Sequence, residues 1–294
     1  MAIMQNRFRA MLLAAAVVVS LASPTHSSAA APVAEDAAQV IELQPYLGVL
    51  WAFKARLGDR EGLFLLDTGG GITVLTPAAA KLAGCTPWGR LTGFRMRGDR
   101  LDLTRCDDVH LQLSRLALHV PVAGIFDLMA KVPPGSPELM GSVALDAFAG
   151  RVVTLDIAHG RLVMESPATL PERVRHSHEV GVRYSREVEG LALTPFVGVR
   201  SRSGTLWMEV DTGSDGAAVI GRHAAPALGL DASAKGGQDL AASLAGDVAL
   251  RCRAWVDDLV YDGNIGSPTL AHWVLTFDLQ NSRLWIADAG AHGS

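Results

Sequence analysis

From about residue 40 onward, short apolar runs alternate with turn-forming residues. Leu63-Phe64-Leu65-Leu66, Ile72-Thr73-Val74-Leu75, Leu206-Trp207-Met208 with Val210, and Ala217-Ala218-Val219-Ile220 are examples. Each is too short for a typical helix and is bounded by Gly, Asp, Asn or Pro, so each reads as a strand. Helix signals are few. Thr76 as N-cap, Pro77 at the first helical position and Gly84 past the end spell one short helix. Arg222 to Leu230 resembles it but is interrupted by Pro226. The pattern predicts an all-β chain.

The pattern also repeats. Met140-Gly141-Ser142-Val143-Ala144-Leu145 matches Ile265-Gly266-Ser267-Pro268-Thr269-Leu270 as apolar-Gly-Ser-x-x-Leu. Each half then closes on two strands joined by a hairpin-type turn. The first pair is Val152–Asp156 and Arg161–Met164, across Ala158-His159-Gly160; the second is Val274–Asp278 and Arg283–Ile286, across Gln280-Asn281-Ser282. Asp156 and Asp278 read as strand-end or turn residues, not catalytic ones. Two lobes of one design are therefore expected, at 40–166 and 179–288, joined by a polar linker at 167–178.

Of the 294 residues, 49% are hydrophobic and 19% charged, enough to build a core and incompatible with disorder. Thirty glycines fit a turn-rich β protein. The net charge of −4, with no Lys/Arg cluster, excludes an electrostatic footprint for nucleic acid. Residues 1–30 read as a secretory signal: Arg7 and Arg9 supply positive charge, Met11–Ala22 an apolar stretch, and Ser28-Ala29-Ala30 small residues for cleavage after Ala30. The expectation is an exported protein, periplasmic or secreted, with no membrane attachment after cleavage. Ala31 to Ile41 leaves little room for a long pro-segment. In an oxidising compartment Cys85 can pair with Cys106, the nearest in sequence, or all three cysteines, Cys252 included, can stay reduced and buried. No Cys-x-x-Cys spacing supports a metal, so no metal or cofactor is expected. His176-Ser177-His178 in the linker reads as solvated.

The candidate chemistry lies in a tripeptide that occurs twice, Asp67-Thr68-Gly69 and Asp211-Thr212-Gly213, each time directly after an apolar run. At ordinary composition, two chance copies arise in about one chain in several hundred of this size. A carboxylate at the end of a buried strand is costly. Two at matching places in a repeat point to carboxylates brought together by a pseudo-two-fold axis.

With its two Asp-Thr-Gly triplets, later apolar-apolar-Gly stretches (Leu139-Met140-Gly141; Ile265-Gly266 after polar Asn264) and closing strand pairs, the chain resembles the pepsin-like and retropepsin-like aspartic proteases over nearly its whole mature length. The resemblance implies a bilobal pepsin-like acid protease fold, with two pseudo-symmetric β-barrel lobes and a central cleft. It implies Asp67 and Asp211 as the catalytic pair, with Thr68 and Thr212 locking the two loops across the lobe junction. Gly69 and Gly213 would permit the tight turns. Ser214 stands where the family often has a small hydroxyl bonding the neighbouring Asp, and Gly70 takes that place in the first lobe. The flap is expected in Trp88–Leu103, with Trp88, Gly93 and Phe94 as candidate residues and no flap Tyr; the second-lobe counterpart, around Ala245-Gly246-Asp247, is short.

In that family two close carboxyls share one proton, one activating water and the other protonating the scissile carbonyl. The expected activity is an exported aspartic endopeptidase, monomeric, acting on extended peptide or protein. The alternative is a non-catalytic peptide-binding or scaffold protein using the same cleft. Asp127, Asp146 and Glu209, near the motif strands, are expected as rim charges.

Overall fold

The computed structural model describes residues 37–292; the signal-peptide expectation lies outside them. Among the described residues the regular elements are mostly strands, in three sheets. An eight-stranded sheet draws on residues 44–143 and a seven-stranded sheet on residues 182–266. Both curl back on themselves. In the first, Leu50–Leu57 pairs with Arg60–Leu66 and also with Arg100–Leu113; in the second, Val199 bridges to Leu244. Their inner faces form an apolar core that includes Phe53, Phe64, Leu111, Val197, Met208 and Ile265, all essentially buried.

The closing strand pairs do not stay with their own halves. Val152–Asp156 lies antiparallel to Trp273–Asp278, and the two hairpins merge into a common six-stranded sheet with Gln39–Glu42 and His178–Val180 at its edges. The register is symmetric about Thr154 opposite Thr276, whose buried hydroxyls bond each other at 2.9 Å. The pseudo-two-fold relation inferred from the repeat is visible there. Asp156 and Asp278 end their strands and brace the turns that follow, in line with the expectation of strand-end or turn residues. Asp156 accepts from the His159 amide, and Asp278 accepts from the Gln280 and Asn281 amides.

The predicted helix forms at Pro77–Leu82, capped by Thr76, whose hydroxyl accepts from the Ala79 amide at 3.2 Å. Its weaker copy shrinks to one 3-10 turn, Ala225–Leu228, because Pro226 supplies no amide hydrogen. Gly229, at φ +77°, ends that turn. Among the described residues no helix is long and apolar enough to cross a membrane.

The repeat match needs one correction of register. Gly141 pairs with Phe64, three residues before Asp67, and Gly263 lies opposite Met208, three before Asp211. Ser142 pairs with Leu65 and Val74; Asn264 pairs with Glu209 and Val219. The structural partner of Gly141 is therefore Gly263, and Gly266 corresponds to Ala144. The apolar-Gly-Ser similarity is three residues out of step, because hydrogen bonding to the Asp-bearing strand sets the register and the Gly-Ser pair does not.

Cys85 and Cys106 form a disulfide with Cα atoms 5.9 Å apart, and Cys252 is free. The bridge ties the segment after the helix to the long strand Arg100–Leu113 and closes a loop of 21 residues in sequence separation. A loop of that length stabilises by about 3 kcal/mol. Denaturant titration of a Cys85→Ser/Cys106→Ser double variant should show a loss of that order, with a slope equal to or steeper than wild type because the freed unfolded chain exposes more surface; an unaltered unfolding free energy would show that the bridge contributes nothing.

Candidate functional site: a two-carboxylate centre

Asp67 follows the strand Arg60–Leu66, and Asp211 ends the strand Gly204–Asp211. The Asp67 amide donates to the carbonyl of Val143, and Asp211 lies opposite Gly266 in a parallel pairing. The next residue of each triplet locks the two turns together. The Thr68 amide donates to Thr212 Oγ1 and the Thr212 amide to Thr68 Oγ1, both at 3.0 Å. Thr68 Oγ1 donates onward to the Val210 carbonyl at 2.6 Å, and Thr212 Oγ1 to the Leu66 carbonyl at 2.7 Å. Both threonines are buried. Each hydroxyl thus accepts from an amide and donates to a carbonyl of the same opposite segment, so all four bonds form together.

The glycines are required by contact. A Cβ on Gly69 would stand 2.4 Å from Asp211 Cγ, and one on Gly213 would stand 2.5 Å from Asp67 Oδ1. Each glycine therefore lies against the opposite carboxyl. Both carboxyls crowd one point: a Cβ on Gly213 would also stand 3.1 Å from Asp211 Oδ1. Burial, and then the charge of Asp211, raise the Asp67 carboxyl to about 7. Asp211 is also raised by burial, opposed first by its bond from Asn264 and then by the Gly213 amide.

The Asn264 bond was not foreseen. Asn264 is fully buried and donates from Nδ2 to Asp211 Oδ2 and to Glu209 Oε2, each at 2.9 Å. The reverse amide orientation would set Oδ1 against two carboxyl oxygens, so these bonds fix it. The Gly213 amide holds the other oxygen of Asp211 at 2.8 Å. Ser214 does not make the side-chain bond that its position suggested: its amide donates to the Asp211 carbonyl and its own carbonyl accepts from Ser267, while Asn264 occupies the carboxyl oxygen. In the first half, Ser142 stands at the position of Asn264 and Gly70 at that of Ser214. The two acids are consequently held unequally.

Glu209 corrects the rim-charge expectation. Two residues before Asp211 on the same strand, it turns inward, is buried, and has its pKa pushed well above the ordinary glutamate range by burial and by Asp211. Alternation along a strand places residue 209 on the same face as residue 211, a signal present in the sequence. Asp146 is also more than a rim charge: its carboxylate accepts from the Thr73 amide at 2.9 Å and from the Thr73 hydroxyl at 2.7 Å. It braces the segment just after the Asp67 turn, and burial raises it to about 6. Asp127 caps the 3-10 turn Leu128–Lys131.

The hairpin expected as a flap forms from Trp88–Phe94 and the start of Arg100–Leu113. Its tip reaches the second half of the chain. The Met96 carbonyl accepts from the Val260 amide, and Arg97 pairs with Asp257, both at 2.8 Å. Beneath it lies a cavity of about 400 Å³ lined by Asp67, Asp211, Phe94, Met96, Glu209 and Tyr261, among others. Of the three flap candidates only Phe94 lines that cavity. Trp88 sits at the root of the hairpin, its indole N–H bonded to Asp107 and its ring under Arg105, and Gly93 faces Val188. The Ala245–Asp247 turn folds onto the body of its own half, where the Ala245 amide donates to the Gly198 carbonyl.

No protein-family model and no curated protein matches this sequence. The fold does have solved counterparts. Basic 7S globulin from soybean superposes with a TM-score of 0.57 at 11% identity, over 87% of this chain and 97% of the globulin. Conglutin gamma, a basic 7S globulin from lupine seeds, gives 0.56 at 10%, over 87% and 97%. The aspartic proteinase from Irpex lacteus gives 0.55 at 12%, over 86% and 97%. The fold is therefore pepsin-like, as the resemblance implied.

The raised carboxyls fix the sign of a stability effect. The ordinary aspartate value is 3.8 and that of Asp67 is about 7, so between them the native chain keeps a proton that the unfolded chain has released. Stability from this group is full below about 4 and is lost as pH rises through about 7. Glu209 acts in the same direction. Asp67→Asn should accordingly flatten the fall in melting temperature between about pH 5 and pH 7.5; matching profiles for variant and wild type would contradict the assignment.

Proposed function

We propose that the chain is an aspartic endopeptidase, hydrolysing peptide bonds with a water activated between Asp67 and Asp211. The observation that carries this reading is the convergence of two buried carboxyls, each pressed against the other half's glycine and both beside Gly213. Two such acids cannot both ionise cheaply, so the pair holds one proton at mildly acidic pH. The ionised member takes a proton from water as the oxygen attacks the carbonyl carbon. The protonated member donates to the carbonyl oxygen, giving a tetrahedral diol. Both pKa values belong to the pair.

An extended peptide fits between the dyad and the hairpin tip, with Phe94, Met96 and Phe126 offering apolar contact. Because the chain carries both acids, it is proposed to act as a monomer, and the leader read in residues 1–30 would direct it to export. The second reading, a non-catalytic peptide-binding or scaffold protein, is favoured by the absence of a Tyr in the flap segment and by the two neighbours named as basic 7S globulins.

Cleavage of a denatured protein or a peptide library across pH separates the two. Asp67→Asn and Asp211→Asn should each lower turnover by roughly 10²- to 10⁴-fold while leaving peptide binding in place. Cleavage equal to wild type would end the proteolytic reading; binding with no cleavage by wild type would favour the scaffold.

Asn264 gives a sharper test. Removing a hydrogen bond to a charged group costs about 1.5–3 kcal/mol, or about one to two pH units. Asn264→Ala should raise the acid limb of the rate profile by that amount and lower kcat more than KM. An unmoved acid limb would show that Asn264 only packs.

A further inference from the structure

We propose that Asp108, His110 and His119 form a divalent-cation site of zinc type on the outer face of the first half. The inference is independent of the proteolytic reading.

The backbone dictates the placement. Arg100–Leu113 and Leu116–Ile125 pair antiparallel with His110 directly opposite His119. Val109, Leu111, Leu118 and Val120 are buried on the inner face, so the two histidines must point outward. Asp108 stands two residues before His110 on the same strand, with φ +59°, a left-handed conformation that Asp tolerates better than most residues. Its carboxylate is thereby set beside both rings. His110 Nε2 lies 3.1 Å and His119 Nε2 2.9 Å from a single oxygen, Asp108 Oδ1. The rings stack with centroids 4.8 Å apart and planes 16° apart. One ligand atom from each of the three residues falls within 4.8 Å of the others.

A simple ion-pair cluster would profit from spreading two donors over both carboxylate oxygens. Convergence of both ring nitrogens on one carboxylate oxygen instead gathers three potential donor atoms within reach of a single ion. Two imidazoles and a carboxylate suit zinc and its neighbours in the transition series, and suit magnesium or calcium poorly. On binding, each ring would give its Nε2 lone pair to the metal and carry its hydrogen on Nδ1. The exposed side leaves room for water to complete a tetrahedral set.

The consequence is mechanical. The ion would staple neighbouring strands at a point three residues beyond Arg105, where the flap hairpin ends its pairing. The strand it grips is the one that runs on into the flap.

Calorimetric titration of the folded chain with zinc chloride tests this. Wild type should take up one equivalent through this site, and His110→Ala and His119→Ala should each bind at least tenfold more weakly. Asp67→Asn and His176→Ala should bind as wild type does, which separates this site from the dyad and from the linker histidines. Magnesium should give no saturable heat. Because the three side chains are exposed, circular dichroism should show the variants folded. Absence of zinc uptake by wild type, or unchanged affinity in both histidine variants, would overturn the proposal and leave only a hydrogen-bonded cluster.

Discussion

Two threonine hydroxyls hold the centre of this molecule together. Thr68 and Thr212 each accept from the other's amide and donate to a carbonyl of the other half. The arrangement is buried and closed, with no spare donor in it. An unmet hydrogen-bonding group there would cost about 1–3 kcal/mol, so the two turns keep their relative position or lose several bonds together. The contacts of Gly69 and Gly213 with the opposite carboxyls, and the perturbation of both acids, follow from that clamp.

Around the clamp the halves diverge. The first half meets its acid with Gly70 and Ser142; the second brings up Asn264, and behind it Glu209. Asn264 Nδ2 has two hydrogens and spends them on two carboxyls, while its Oδ1 has no partner among the described residues. A buried amide tolerated at that cost fixes which side of the pair is better solvated by protein dipoles. Approximate backbone symmetry thus carries an electrostatic asymmetry about the two acids.

The hairpin tip adds a second, weaker constraint. It is held by one backbone hydrogen bond and one exposed ion pair, Arg97 with Asp257. Exposed pairs of this kind contribute about 0–1 kcal/mol, so the cover over the cavity is far easier to displace than the floor. A rigid floor beneath a readily lifted cover suits a site that admits an extended chain.

Much of this was legible in the residues. Short apolar runs between turns, Thr76-Pro77 before an alanine stretch, and two Asp-Thr-Gly triplets depend on local chemistry, and the strands, the helix and the pairing of Asp67 with Asp211 followed from them. What escaped depended on contacts between distant segments. The Gly141–Gly266 match was out of step because strand pairing, not local resemblance, sets register. Asn264 and Glu209 looked like ordinary polar residues until two parallel strands placed them side by side beneath Asp211. Trp88 was separated from Phe94 by their positions along a hairpin whose tip only the opposite half defines. Local sequence determines which residues turn, cap or extend; which side chains share a buried space is decided by the packing that brings remote strands together.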